Sequence, residues 1–104
     1  MFVIEYADTI YDDLDTMRPF DRRRVRDTII EQLTYEPNVE TRNRKPLGYI
    51  PTEWDISNEL WELRVGEFRV FYEFELNEKI VMVHGVREQH LTRRQETSYE
   101  NAGS

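Results

Sequence analysis

No cysteine occurs among the 104 residues, which removes disulfide scaffolds, thiol nucleophiles and thiolate metal sites in one step and fits a reducing cytoplasm. Glycine is scarce. The four present, Gly48, Gly66, Gly85 and Gly103, are too scattered to form a phosphate-cradling loop. Lysine is scarcer still: Lys45 and Lys79 stand alone, so the other twelve of the 14 cations are arginines, whose planar fork suits phosphates and carboxylates. Positive charge is in deficit overall, with 14 cations against 21 acids and a formal net charge of −7, which argues against a general nucleic-acid coat protein. No apolar run approaches membrane-spanning length, and the opening residues Met1 to Asp13 carry acids where a secretion signal carries bases. A cytoplasmic chain with no membrane partner is the expectation. Histidine is limited to His84 and His90, which are not at ligand spacing, and Ser57, Ser98 and Ser104 lack a nucleophile turn. Neither a metal, a cofactor nor a serine triad is therefore expected.

What remains is one small core and a set of arginines. Length alone limits the chain to one compact domain, and two Trp, five Phe and six Tyr supply much of its apolar bulk. Phe2 to Tyr6 mixes β-branched and aromatic residues and reads as a first strand. From Ala7 to Met17, Ile10, Leu14 and Met17 recur at helical spacing, and Pro19 ends that helix. Asp21 is the expected N-cap of a second helix, with Val25, Ile29 and Leu33 on one face and Pro37 closing it. The block Arg22, Arg23, Arg24 and Arg26 cannot share one helix face, and Asp21, Asp27 and Glu31 are near enough to pair with it, so a solvated surface is expected. From Glu36 to Glu59 the periodicity is lost, and Pro37, Pro46, Gly48 and Pro51 mark a long loop, a feature often tied to function.

From Leu60 the period becomes two. Trp61, Leu63 and Val65 alternate with Glu62 and Arg64, and after Gly66 and Glu67 the residues Phe68, Val70, Tyr72 and Phe74 alternate with Arg69, Phe71 and Glu73. Glycine first in a two-residue turn suits a type II′ hairpin, so Val65 should face Phe68, Leu63 should face Val70 and Trp61 should face Tyr72. Arg64 then lies across from Arg69. Like charges so placed need an anion, a carboxylate or water, and Glu62 is the nearest internal partner. A third strand is expected from Lys79 to Val86 with Arg87 at its end; its register, and hence the side taken by His84, stays open.

Arg64, Arg69 and Arg87, with Arg42, Arg44 and Lys45 folding over them from the loop, would form a cationic patch fit for a phosphodiester backbone. Metal-free RNA cleavage needs a base for the 2′-hydroxyl proton, cations for the phosphorane-like transition state and an acid for the leaving oxygen. Arg69 and Arg87 suit the middle role; Glu62, His84, His90 and Tyr99 are the candidates for proton transfer. The alternative for each strand arginine is a surface ion pair contributing about a kcal/mol or less.

The run Thr41-Arg42-Asn43-Arg44-Lys45-Pro46-Leu47, the hairpin from Leu60 to Glu73 and the ending His84-Gly85-Val86-Arg87-Glu88 resemble the toxins of bacterial type II toxin–antitoxin modules in the RelE/ParE superfamily. The likeness covers roughly residues 2 to 91. It implies an α+β fold: an N-terminal strand, a two-helix hairpin, then antiparallel strands with the helices on one sheet face, in a single domain over 1–92; the polar composition after it, without an apolar period, predicts a flexible tail over 93–104. It also implies a cognate antitoxin as partner and, for RelE-like members, ribosome-dependent cleavage of messenger RNA. A homodimer is a further partner state to test. Arg69 matches the phosphate-contacting arginine of the hairpin, and Arg87 the arginine that ends the last strand. There are departures. Leu60 and Glu62 stand where RelE-like nucleases have lysines, and the C-terminal tyrosine is missing near Arg93 unless Tyr99 substitutes. His84 with Gly85 resembles the HigB-like branch, also ribosome-dependent, whereas ParE-like members inhibit DNA gyrase. An inactive homologue that only binds an antitoxin is the remaining alternative. Ten of the 21 acids precede Arg42, against five cations, so the charge deficit falls on the helical half and leaves the sheet near neutral.

Overall fold

In a computed structural model that describes residues 1–89, the chain runs β1 (Val3–Tyr6), α1 (Thr9–Asp15), α2 (Pro19–Leu33), β2 (Arg44–Gly48), β3 (Leu60–Val65), β4 (Phe68–Glu75) and β5 (Ile80–Glu88). The strands form one sheet in the order β1-β5-β4-β3-β2. β1 lies parallel to β5 and every other pairing is antiparallel, so the sheet is mixed rather than wholly antiparallel.

Period two builds the centre of the sheet. The β3–β4 register pairs Val65 with Phe68, Leu63 with Val70, Trp61 with Tyr72 and Arg64 with Arg69, as the alternation requires. Gly66 has φ +61 while Glu67 stays at negative φ, the pattern of a type II′ turn. A side chain at Gly66 would also meet the Arg24 guanidinium, which reaches over from α2 to Phe68 and Glu67. The apolar face so formed packs with Val25, Ile29 and Leu33 of α2 and Ile10 of α1 into the core. Tyr72 is fully buried at its middle and donates its hydroxyl to the Pro37 carbonyl at 2.8 Å.

Several element boundaries differ from the sequence expectation. The first helix is shorter, Thr9–Asp15. The second begins at Pro19, with Arg18 rather than Asp21 in the capping position. Proline holds the preceding residue extended and is itself suited to the first helical turn, which leaves Asp21 inside that turn. That helix stops at Leu33, before Pro37. The segment read as loop contains β2, an edge strand against β3 that tolerates Pro46 because an edge can spare a ladder donor. β5 extends to Glu88 and carries an irregularity opposite Phe71 and Tyr72, which pair with Gly85 and Val83. His84 is the extra residue of that bulge.

β1 is short and covers only the first part of β5. Beyond it α1 takes over the edge: the Thr9 hydroxyl donates to the His84 carbonyl at 2.7 Å and the Asp13 carboxylate accepts the Val86 N–H at 2.9 Å. Two backbone groups that an open edge would leave unpaired are thereby satisfied by side chains. No helix among the described residues is long and apolar enough to cross a membrane.

Candidate functional site: an arginine row on the sheet face opposite the core

Because Arg64 pairs with Arg69 and Arg69 with Arg87, three adjacent strands bring three guanidinium groups into one row on the face away from the core. Such a row repels itself unless carboxylates intervene. Glu62 does so from within the face, with its side chain only 3% exposed. It accepts from Arg69 Nη2 at 2.6 Å and lies 3.9 Å from Arg64 Nε. Arg69 also stands over the Phe71 ring at 5.2 Å. At the other end Arg87 is clamped from two sides, Nη1 at 2.7 Å from Asp13 Oδ2 and Nη2 at 2.6 Å from Glu53 Oε2, with its guanidinium 5.2 Å from the centre of the Trp54 ring. Arg64 is the most exposed of the three. Lys45, opposite Glu62 in register on β2, adds an exposed cation to the same face.

The segment between β2 and β3 lies across this face rather than extending into solvent. Trp54 packs on Phe71 at 5.4 Å and on His84 at 6.2 Å between ring centres. Gly85 makes that possible: a Cβ there would come 2.5 Å from Trp54 Cζ2 and 3.0 Å from Asp13 Oδ2. Glycine within a strand here marks a close approach. The base of the segment is pinned by Glu73, whose Oε1 accepts from Ser57 N at 3.1 Å, Asn58 N at 3.0 Å and Asn58 Nδ2 at 3.0 Å, while Oε2 lies 2.6 Å from His84 Nε2. Burial pushes the Glu73 carboxyl up, but the hydrogen bonds of His84, Asn58 and Ser57 outweigh it and hold the group below the ordinary carboxylate value. In the core, burial pushes the Tyr72 phenol up, so it is a neutral donor.

The sequence-derived candidates thus divide. Arg64, Arg69 and Arg87 come together with Glu62 among them, Lys45 is exposed opposite Glu62 on β2, and Arg42 is exposed two residues before that strand. Arg44 is turned inward instead. It is 5% exposed and donates to the Val39 and Gln32 carbonyls at 3.0 and 2.6 Å, with Glu36 at 3.6 Å, so it ties the end of α2 to β2. His84 is buried under Trp54, with Nε2 2.6 Å from Glu73 Oε2, and so stands apart from the arginine row. His90, Arg93, Tyr99 and the tail over 93–104 lie outside the described residues. Three residues of the site were not among the sequence candidates: Asp13, Glu53 and Trp54. Only Gly85, a glycine inside an apolar strand, pointed to Trp54; nothing local links Asp13 or Glu53 to an arginine 74 or 34 residues away.

No protein-family model and no curated protein matches the chain. Solved structures do. The RelE–RelB complex of Pyrococcus horikoshii OT3 matches with TM-score 0.63 at 17% identity, covering 86% of this chain and 96% of that one. The toxin–antitoxin complex RelBE2 of Mycobacterium tuberculosis matches with TM-score 0.65 at 21% identity, covering 84% and 96%. The isolated RelE toxin of E. coli matches with TM-score 0.62 at 10% identity, covering 94% and 98%. The chain therefore has the RelE-like toxin fold, α+β with an N-terminal strand, two helices and a five-stranded mixed sheet.

Proposed function

We propose that the chain is the toxin of a type II toxin–antitoxin module, acting in the cytoplasm as a ribosome-dependent messenger RNA endonuclease and neutralised by a cognate antitoxin. The observation that supports this reading best is the register-aligned row Arg64, Arg69 and Arg87 on the exposed face of a RelE-like sheet. In attack by a 2′-hydroxyl on the adjacent phosphorus, negative charge accumulates on the non-bridging oxygens, and preorganised guanidinium donors stabilise it. Arg69 and Arg87 fill that role, their forks already oriented by Glu62 and by Asp13 with Trp54. Arg64, Arg42 and Lys45 line the approach and position the RNA backbone. Glu62, 2.6 Å from Arg69 and within 4 Å of Arg64, is the candidate proton acceptor inside the row, and His90 is a candidate outside the described residues.

A second reading has its own support. Each arginine of the row is already within 4 Å of a carboxylate, which favours a toxin-like protein that binds without cutting, either as a gyrase inhibitor or as an antitoxin-binding homologue. Incubation of the purified protein with translating ribosomes and a defined message separates the two. Cleavage is expected, and Arg69→Ala should slow it by about 10²- to 10³-fold while the fold is retained. Intact message, together with loss of supercoiling by gyrase, would discard the nuclease reading.

A further inference from the structure

Arg87 is held by two carboxylates of unlike character. Asp13 belongs to α1, accepts from the Val86 backbone as well as from Arg87 Nη1, and has a side chain 21% exposed. Glu53 stands on a segment without regular structure, its side chain is 66% exposed, and its only polar partner among the described residues is Arg87 Nη2. Exposed pairs of this kind contribute little and are screened by salt. A phosphate offers arginine a better-matched partner, with two or more acceptor oxygens for the planar fork.

We propose that the Glu53 carboxylate is a resident stand-in for phosphate on Arg87, a displaceable latch that a phosphate group of the ligand must replace. The inference rests on the reading of the arginine row as a phosphate-binding face. Displacement is a local event in this geometry. Trp54 stays seated on Phe71 and Gly85, the segment base stays pinned by Glu73, and only the Glu53 side chain has to swing into solvent, which it already largely faces. Asp13 and the Trp54 ring keep the Arg87 fork aimed while the exchange occurs. Arg69, opposite Arg87 in register and about 5 Å away between Cα atoms, is placed to share the incoming group. The latch makes the free protein a weak binder of stray anions and reserves the site for a phosphate that Arg69 and Arg64 bind at the same time.

The test uses the full chain with inorganic phosphate as probe, read by calorimetry and by the Arg87 side-chain resonances. Glu53→Gln should bind phosphate about two- to fivefold more tightly than wild type, the gain corresponding to loss of one exposed pair. Glu78→Gln removes one equal charge from an exposed turn and should leave the affinity unchanged within experimental scatter. Equal affinities for wild type and Glu53→Gln, an equal gain in Glu78→Gln, or no phosphate binding to either protein each overturn the latch. The ribosome assay is read separately. Tighter phosphate binding in Glu53→Gln with the message left intact keeps the latch and removes the nuclease reading. Cleavage by wild type with no difference in phosphate affinity does the reverse.

Discussion

The two faces of the sheet are made of the same strands and are held by different physics. On the core side, Leu63, Val70, Tyr72, Val81 and Val83 are all fully buried, and their stability comes from many non-directional contacts that depend on volume. On the other side, Glu62, Arg69, Glu73, His84 and Arg87 are joined by a few directional pairs, several bridging segments far apart in the chain. The first face defines where the strands lie. The second defines what they present, and it does so with groups that oppose one another unless every partner is present.

The largest expected effect lies on the core face. Leu63→Ala should lower the unfolding free energy by about 2–5 kcal/mol, through lost transfer energy and the cavity left behind. For a domain this small that is a large share of the total. Urea titration followed by tryptophan fluorescence reads it directly. A loss no greater than that of an open-face substitution would erase the distinction between the faces.

On the open face, Glu62→Gln should come next. The buried carboxylate lies within 4 Å of both Arg64 and Arg69, so its neutralisation leaves two guanidinium groups opposed across a strand pair. A loss of about 1–3 kcal/mol is expected, the range for a hydrogen-bonded charged group deprived of its partner. The same substitution in an Arg69→Gln background should cost clearly less, since the pair is already broken. Additive losses in the two backgrounds would show that Glu62 and Arg69 do not act together.

This contrast also explains what could be read from the sequence. Alternation from Trp61 to Phe74 is a local signal carried by adjacent residues, and together with the glycine turn it fixes the hairpin register, including the opposition of Arg64 and Arg69. Helix faces marked by Val25, Ile29 and Leu33 were legible for the same reason. The site beyond the hairpin was not. A bulge in β5 decides the position of His84 and leaves no clear mark in composition. Arg44 looked like part of a basic loop because its sequence neighbours Arg42 and Lys45 are cationic. Its actual partners, the Gln32 and Val39 carbonyls, are backbone atoms that no residue pattern advertises.

The smallest expected effect is the pH dependence carried by Glu73, because burial works against the hydrogen bonds that favour its charged form. The folded-state pKa lies below the ordinary value of 4.5, so the carboxylate stabilises the fold fully above that pH. The contribution is lost as pH falls through the folded-state value, when protonation weakens the bonds from Ser57, Asn58 and His84. Glu73→Gln should therefore be less stable than wild type near pH 7, with the gap narrowing on acidification below about pH 4.5. Thermal melts at a series of pH values measure that gap. The Trp54 indole resonance adds a local reading, since release of Ser57 and Asn58 frees the segment that seats the ring on Gly85. Leu63→Ala should show no such narrowing, because it removes no ionisable group and the Tyr72 phenol beside it in the core stays neutral throughout the acid range. If both variants lose stability in parallel at every pH, the open face is held by packing as the core is, and the difference between the two faces is one of exposure alone.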